Sequence, residues 1–485
     1  MTLTAPRSPQ QRTRPLIEQH PLRHPDVQDS ATMGRRAWWL VVLNVLVPGS
    51  VQVLAGNRRL GRFGLGATLV MWLLAIVAAG LALFAQLAAI WLFSGWPSWF
   101  ALTIVQVLLL GYALLWVVLT VDTLRLLRLV KLPAITRWLA PIASLLVLAL
   151  VASGAVYGSG IAAASRGAFG KLFANSGPSV PPSDGYYNIL LLGADSGDGR
   201  DSMRFDSISV VSVNATSGAV TITGIPRELP GVHFPDDSPM HKLYPNGFEG
   251  HGSATCGWNG WMNHVRAAAE VCRPDHGKSL YPDAAAHGST PGIEATKDAA
   301  EGLLGIKIPY YVFVDMNGFA DLIDALGGVD INVTERLPKG GPKPGQGAKD
   351  VNDWAIGWIE PGQQHMNGDT AQWYARSRYT TSDYDRMKRQ RQLQEAILAQ
   401  FTPQNVLTHF TDVMNAGTAL ASTDLPQDKL PEFFDLMMKA KKQPVKQLEL
   451  TPENGIAEKT PDFALILKMV KDALHPPTST PAPTN

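Results

Sequence analysis

Cysteine is almost absent from this chain: Cys256 and Cys272 are the only two in 485 residues. They stand 16 positions apart, a spacing that fits no compact zinc finger. If the surrounding domain lies outside the membrane, a disulfide is the first expectation, contributing about 3 kcal/mol. The alternative gathers Cys256, His264, Cys272 and His276 around zinc. Charge is scarce too, at 17% of residues, and a net charge of +1 hides an uneven distribution. The basic excess sits in the first 36 residues and in short loops between apolar runs, which excludes nucleic acid as the evident partner. Ionisable side chains are missing from the interior of the long apolar runs, where Gln86 and Gln106 are the few polar residues. That argues against a proton or ion pathway, and so against a transporter. The first apolar run begins only at Ala37, so no cleavable signal peptide is expected.

What is present divides the chain in two. Three runs, residues 63–93, 100–121 and 139–163, are long enough to span a bilayer, which takes roughly 20 apolar residues. A fourth, 37–55, is interrupted by Pro48, Gly49 and Ser50 and is expected to turn back or lie interfacially. Arg58, Arg59 and Arg62 mark one connecting loop, and Arg125, Arg128, Lys131 and Arg137 another. Positive loops stay inside, so both are expected in the cytoplasm with the arginine-rich tail 1–36, and the chain after 163 on the outer side. The expectation is a multi-pass membrane protein. Residues 164–187 read as a linker rich in Gly, Ser and Pro, and 476–485 as a disordered tail.

Beyond the linker the pattern is α/β. Strands are expected at 188–192, 207–213, 220–224, 309–314 and 329–333, and helices at 292–304, 318–325, 369–375 and 383–401. Gly327 and Gly328 stop a helix before the strand that follows. Residues 236–288 read as an irregular insertion, and 402–475 as a helical extension after a main domain at 188–401.

The chemistry concentrates at strand ends. An apolar run ending at Gly193 delivers Asp195 onto a turn; Arg204 and Asp206 border the next strand, and Arg227 closes a third. Alone, each is more often a cap or turn former. Together, two carboxylates and two guanidiniums suit a pyrophosphate held with magnesium, which binds hard oxygen ligands. Asp195 and Asp206 are the pair expected to hold the metal. Arg376 and Arg378, at alternate positions of a segment read as extended, would face one anion. Arg386, Arg389 and Gln390 share one face of the longest helix, with Asp383 at its start. Two readings stand side by side: a cap with a solvated basic face, or a wall of the anion site.

As an ordered set, NILLLGADSG, MRFDSI, GIPRE, KLYPNG, YYVFVDMNGFADLIDALGGVDINV and YARSRYTTSDYDRMKRQRQ resemble the LytR-CpsA-Psr family over residues 188–401. The resemblance implies a bacterial cell membrane and an extracytoplasmic α/β domain with a central mixed sheet and an apolar interior for a polyprenyl tail. It implies a magnesium-dependent enzyme, with manganese a possible substitute, that moves a glycopolymer from a polyprenyl-pyrophosphate carrier onto peptidoglycan. Asp195 and Asp206 would bind the metal, and Arg204, Arg227, Arg376 and Arg378 the pyrophosphate. Asp383, Arg386, Arg389 and Gln390 match the family's helix start at the phosphate. Lys242 matches the Lys of a Lys-Leu-Asn motif, written here Lys242-Leu243-Tyr244, and Glu228 stands where Asp is commoner. Hydrolysis of a lipid pyrophosphate, or binding of a wall lipid without turnover, are the competing functions.

Overall fold

A computed structural model describes residues 22–23, 25–84, 98–172, 177–194, 204–341, 350–400 and 421–476. The chain divides into two compact units, the first helical and the second α/β.

The first unit is built on α1 (Ser30–Leu46), α2 (Ser50–Ala55), α3 (Arg58–Phe84), α4 (Ser98–Leu127) and the beginning of α5 (Ala134–Leu172). Three of these, α3, α4 and α5, are long and apolar enough to cross a membrane. Their side chains point outward in quantity, Leu69, Trp72 and Ile76 on α3 and Ile104, Val107 and Leu114 on α4 among them. An apolar surface of this extent calls for a lipid solvent. The α3 helix was expected to run to residue 93; residues 85–93, with Gln86, lie outside those described.

The interrupted run is a broken helix. Gly49 takes φ +96°, and a Cβ there would stand 2.3 Å from the Leu65 amide nitrogen. Only glycine permits both the turn and the contact. The two short helices bring polar side chains to α4: Asn44 donates to the Thr120 hydroxyl at 3.2 Å, Thr123 donates to Asn44 at 3.1 Å, and Gln52 donates to the Leu119 carbonyl at 3.0 Å. All are buried, so hydrogen bonds between helices, rather than shape alone, fix this packing.

The second unit has a six-stranded mixed sheet in the order β10-β3-β2-β1-β4-β9. Its strands are β1 (Tyr186–Ala194), β2 (Ser207–Asn214), β3 (Val220–Ile225), β4 (Tyr310–Asp315), β9 (Ala421–Thr423) and β10 (Lys446–Glu449). The first three run antiparallel in sequence, β4 lies parallel to β1, and β10 parallel to β3. A two-stranded ribbon pairs β5 (Val329–Val333) with β8 (Gly362–Met366), and another pairs β6 (Leu337–Lys339) with β7 (Gly357–Ile359). The helices are α6 (Pro239–Leu243), α7 (Pro291–Leu304), α8 (Met316–Ala325), α9 (Gly368–Arg376), α10 (Asp383–Gln400), α11 (Leu430–Ala440) and α12 (Phe463–Leu474).

The stretch 402–475 is not simply a helical extension: it supplies both edge strands, β9 and β10. Three and four residues are too short for alternation to show, and their ladders come from the sheet they join. Nor is 164–187 all linker, because α5 continues to Leu172. Residues after 176 are tied down by Gly177 N–H to Asp424 O (3.1 Å) and Val180 N–H to the Tyr310 hydroxyl (2.7 Å).

Alternation sends side chains of each strand to opposite faces. On one face Leu190, Leu192, Val210 and Ile225 pack with Ile293 and Leu303 of α7 and Ile466 and Val470 of α12. On the other, Leu191, Val211, Val312 and Val314 are apolar yet only half-buried, although they belong to central strands.

Candidate active site

Register alone brings Asp206 and Arg227 together. Ile208 of β2 faces Ile225 of β3 across an antiparallel ladder. Two residues outward on each strand stand Asp206 and Arg227, on the same face. Arg227 Nη1 donates to Asp206 Oδ1 at 2.8 Å. The chain before β2 is pinned by Asp206 N–H to Gly193 O, 2.8 Å, at the end of β1. Pro226 cannot donate to a ladder, and β3 ends at Ile225, one residue before it.

The start of α10 completes the cluster. Asp383 was expected to cap this helix, but the capping falls to Ser382. The Asp385 N–H donates to Ser382 Oγ (3.1 Å), and the Ser382 N–H donates to Asp385 Oδ2 (3.0 Å), a reciprocal capping box. Asp383, released from that duty, meets three guanidiniums: Arg386 Nη2 at 3.0 Å, Arg227 Nε at 3.6 Å and Arg378 Nη1 at 3.8 Å. Arg386 Nη2 also donates to the Asp206 carbonyl at 3.3 Å. Arg227 Nη2 lies 3.0 Å from Glu228 Oε1. Thus Asp206, Arg227, Arg378, Asp383 and Arg386 form one cluster, from parts of the chain some 180 residues apart.

Arg386 is buried, and burial pushes its pKa down against the opposing pull of Asp383. An arginine stays charged regardless. The Nε atom of Arg386 is buried without a hydrogen-bond acceptor, and that of Arg227 has only the Asp383 carboxylate at 3.6 Å. A buried guanidinium donor without an acceptor describes a place for an anion.

The other expected residues fall around this cluster or apart from it. Arg204 is exposed at the approach to β2, and its charge acts on His264. Arg376 and Arg378 do not share an extended face: α9 continues through Arg376, Ser377 caps it, and the Arg376 guanidinium lies 5.2 Å from the Trp373 ring. Arg389 is turned to the chain between α9 and α10, donating to Tyr374 O (3.1 Å), Ser377 O, Thr381 Oγ1 (3.1 Å) and Glu335 Oε1 (3.1 Å). Gln390 donates to Ala375 O at 3.3 Å. Lys242 is exposed on the short α6. Asp195 lies outside the described residues.

Among the described residues no group of three or more His, Cys, Asp and Glu could hold a metal ion. The Asp206 carboxylate, 36% exposed, is a hard oxygen donor beside the Arg227 guanidinium. Such a donor fits magnesium, which takes one or two carboxylates and completes its shell with phosphate oxygens and water. Cys256 and Cys272 form a disulfide, which removes both as zinc ligands. His264, named with them for zinc, instead follows Asn263, whose N–H donates to Arg227 O at 2.8 Å, a placement that spacing in an irregular insertion gives no means to find.

A mixed sheet ending in guanidiniums and carboxylates, on a chain with helices made for lipid, defines a membrane-associated protein whose α/β unit gathers arginines and carboxylates into one cluster. The LytR_cpsA_psr family model matches residues 168–472, and the chain belongs to that family. It is 27% identical over 252 residues to a polyisoprenyl-teichoic acid–peptidoglycan teichoic acid transferase, TagU, of Bacillus mycoides, covering 51% of this chain and 62% of the relative. It is 27% identical over 286 residues to biofilm regulatory protein A of Streptococcus mutans, covering 57% and 60%. The chain thus spans less than two thirds of these relatives. A solved structure, protein gbs0355 of Streptococcus agalactiae, aligns with TM-score 0.42 at 20% identity, over 60% of this chain and 88% of its own.

Proposed function

We propose that the chain is a phosphotransferase that moves a glycopolymer from a polyprenyl-pyrophosphate carrier onto a sugar hydroxyl of peptidoglycan. The observation that carries this is the single cluster of Arg227, Arg378 and Arg386 around Asp206 and Asp383, with a buried Arg386 Nε donor lacking an acceptor. The transferase name of the Bacillus mycoides relative supports the same donor and acceptor. The half-buried apolar sheet face of Leu191, Val211, Val312 and Val314 suits a hydrocarbon tail.

In the proposed reaction the sugar hydroxyl attacks the phosphorus next to the glycan. A new P–O bond forms, the bond to the bridging oxygen breaks, polyprenyl phosphate leaves, and the hydroxyl proton passes to a carboxylate of the cluster, Asp206 or Asp383. The guanidiniums neutralise charge on the leaving phosphate, and positioning with electrostatics supplies most of the catalysis. Asp206, with Asp195, would hold magnesium, which would add charge neutralisation at the pyrophosphate. The α/β unit would lie outside the cell, carried by a multi-pass membrane region.

Purified full-length protein with labelled lipid donor tests this, with and without peptidoglycan. Label should pass to peptidoglycan, and Arg227→Ala or Arg378→Ala should abolish the transfer while circular dichroism stays unchanged. Release of the glycan to water alone would make the protein a hydrolase, and a bound but unreacted donor would make it a receptor. Asp206→Asn should abolish the tightening of geranylgeranyl pyrophosphate binding by added magnesium; an unchanged magnesium response would remove Asp206 from the metal.

A further inference from the structure

The irregular stretch 236–288, closed by the Cys256–Cys272 disulfide, is stitched to the chain that carries Arg227. Asn263 N–H donates to Arg227 O at 2.8 Å, Met262 N–H to Leu229 O at 2.9 Å, and Gly231 N–H to Gly260 O at 3.0 Å. These bonds set the single turn Met262–His264 against the end of β3.

His264 closes that turn and is only 3% exposed. Its ring stacks on Trp261, centroids 5.5 Å apart and planes 10° from parallel. The Asn259 N–H donates to Nδ1 at 2.9 Å, which places the ring proton on Nε2. The Asn259 carbonyl, at 3.2 Å from the same nitrogen, is the longer contact and would need the other tautomer. Nε2 is buried and has no hydrogen-bond partner. A buried donor left without an acceptor destabilises a fold, so one is retained chiefly where something else supplies the acceptor. The charges that act on the ring are Arg204 and Glu228, which flank Asp206 and Arg227 in sequence. Burial first, and Arg204 second, push the imidazole pKa down, so the ring is neutral at physiological pH.

We propose that His264 is a further ligand-contacting residue of this site, donating Nε2–H to a phosphoryl oxygen of the pyrophosphate headgroup. The proposal rests on the polyprenyl-pyrophosphate function above. The Arg204 charge, which acts on the ring, favours an anionic oxygen there over a neutral one. A neutral imidazole adds direction to the recognition without adding charge that would hold back the phosphate product. The insertion thereby becomes part of the site, and the disulfide fastens the loop that presents it.

The test is calorimetric titration of the full-length protein in detergent micelles with geranylgeranyl pyrophosphate. His264→Asn keeps an atom near Nδ1 but loses the Nε2 donor; His264→Gln returns an N–H close to Nε2. Asn should weaken binding about tenfold, as loss of one hydrogen bond to a charged group does, and Gln should recover most of it. The thermal unfolding midpoint of His264→Asn, which keeps the acceptor for the Asn259 N–H, should match the parent. His264→Asn binding as tightly as the parent while Arg227→Ala fails to bind overturns the role of His264 and leaves the function standing. A loss that Gln does not restore, joined to a lowered midpoint, makes the histidine purely structural and also overturns it. A parent protein that does not bind the probe overturns the function, and this inference with it.

Discussion

At the scale of residues, neighbours on one helix divide into different tasks. Arg386 and Arg389 lie one turn apart on α10, yet Arg386 turns to Asp383 and Asp206 while Arg389 holds backbone carbonyls of the preceding turn. Sequence spacing shows only that the two share a face; which acceptors they find depends on the chain folded beneath them. Arg389→Met should therefore act on stability, costing about 3 kcal/mol, because Glu335 and three other acceptors lose a buried partner. Arg386→Lys should leave the urea midpoint nearly unchanged and weaken geranylgeranyl pyrophosphate binding at least tenfold, since an ammonium cannot reproduce the planar fork. Equal effects of the two on stability would contradict this division. The motif residues Asp206, Arg227 and Asp383 were legible because strand ends and a helix start are visible in sequence. His264 was not, since nothing in 236–288 repeats with the period of a helix or strand.

At the scale of elements, the helix carrying the site depends on its first turn. Ser382 and Asp385 cap α10, and two hydrogen bonds from Ser382, first its hydroxyl and then its backbone, hold the Asp385 carboxyl below the usual range. Ser382→Ala should destabilise the α/β unit by about 1 kcal/mol. The sign of the pH effect follows from the depressed folded pKa: the contribution is full above the unfolded carboxylate value and disappears as pH falls through the folded one. Urea unfolding of parent and variant should thus differ most at pH 7 and less in acid, where only the Asp385 N–H to Ser382 Oγ bond still separates them. A difference constant with pH would remove the Asp385 carboxylate from the cap. Elements with strong periodicity, β1 to β5 and α7 to α10, could be read from sequence. The edge strands β9 and β10 could not, because they gain their ladders only from neighbours. Glu449 on β10 illustrates this: it is buried over Gly224, where a Cβ would approach its Oε2 to 2.2 Å. No local pattern announces a strand with an interior carboxylate.

At the scale of the whole molecule, the short edge strands make the sheet a product of nearly the entire α/β unit. A chain ended at Gln400 would lose β9 and β10 and uncover both sides of the six-stranded sheet. Exposed strand edges template association, so such a chain should aggregate in light scattering where the full protein does not. The membrane arrangement rests on a different physical term, the distribution of arginine. Arg58, Arg59 and Arg62 at the start of α3, and Arg125 and Arg128 at the end of α4, should be held inside by the same bias. Because the only two cysteines are joined, a single new cysteine reports its own position. Thr216→Cys, on the exposed turn between β2 and β3, should react with a membrane-impermeant maleimide in intact cells. Arg59→Cys should react only after the membrane is opened. Reaction at Arg59→Cys in intact cells would reverse the arrangement and place the arginine cluster on the side of the membrane where peptidoglycan is absent.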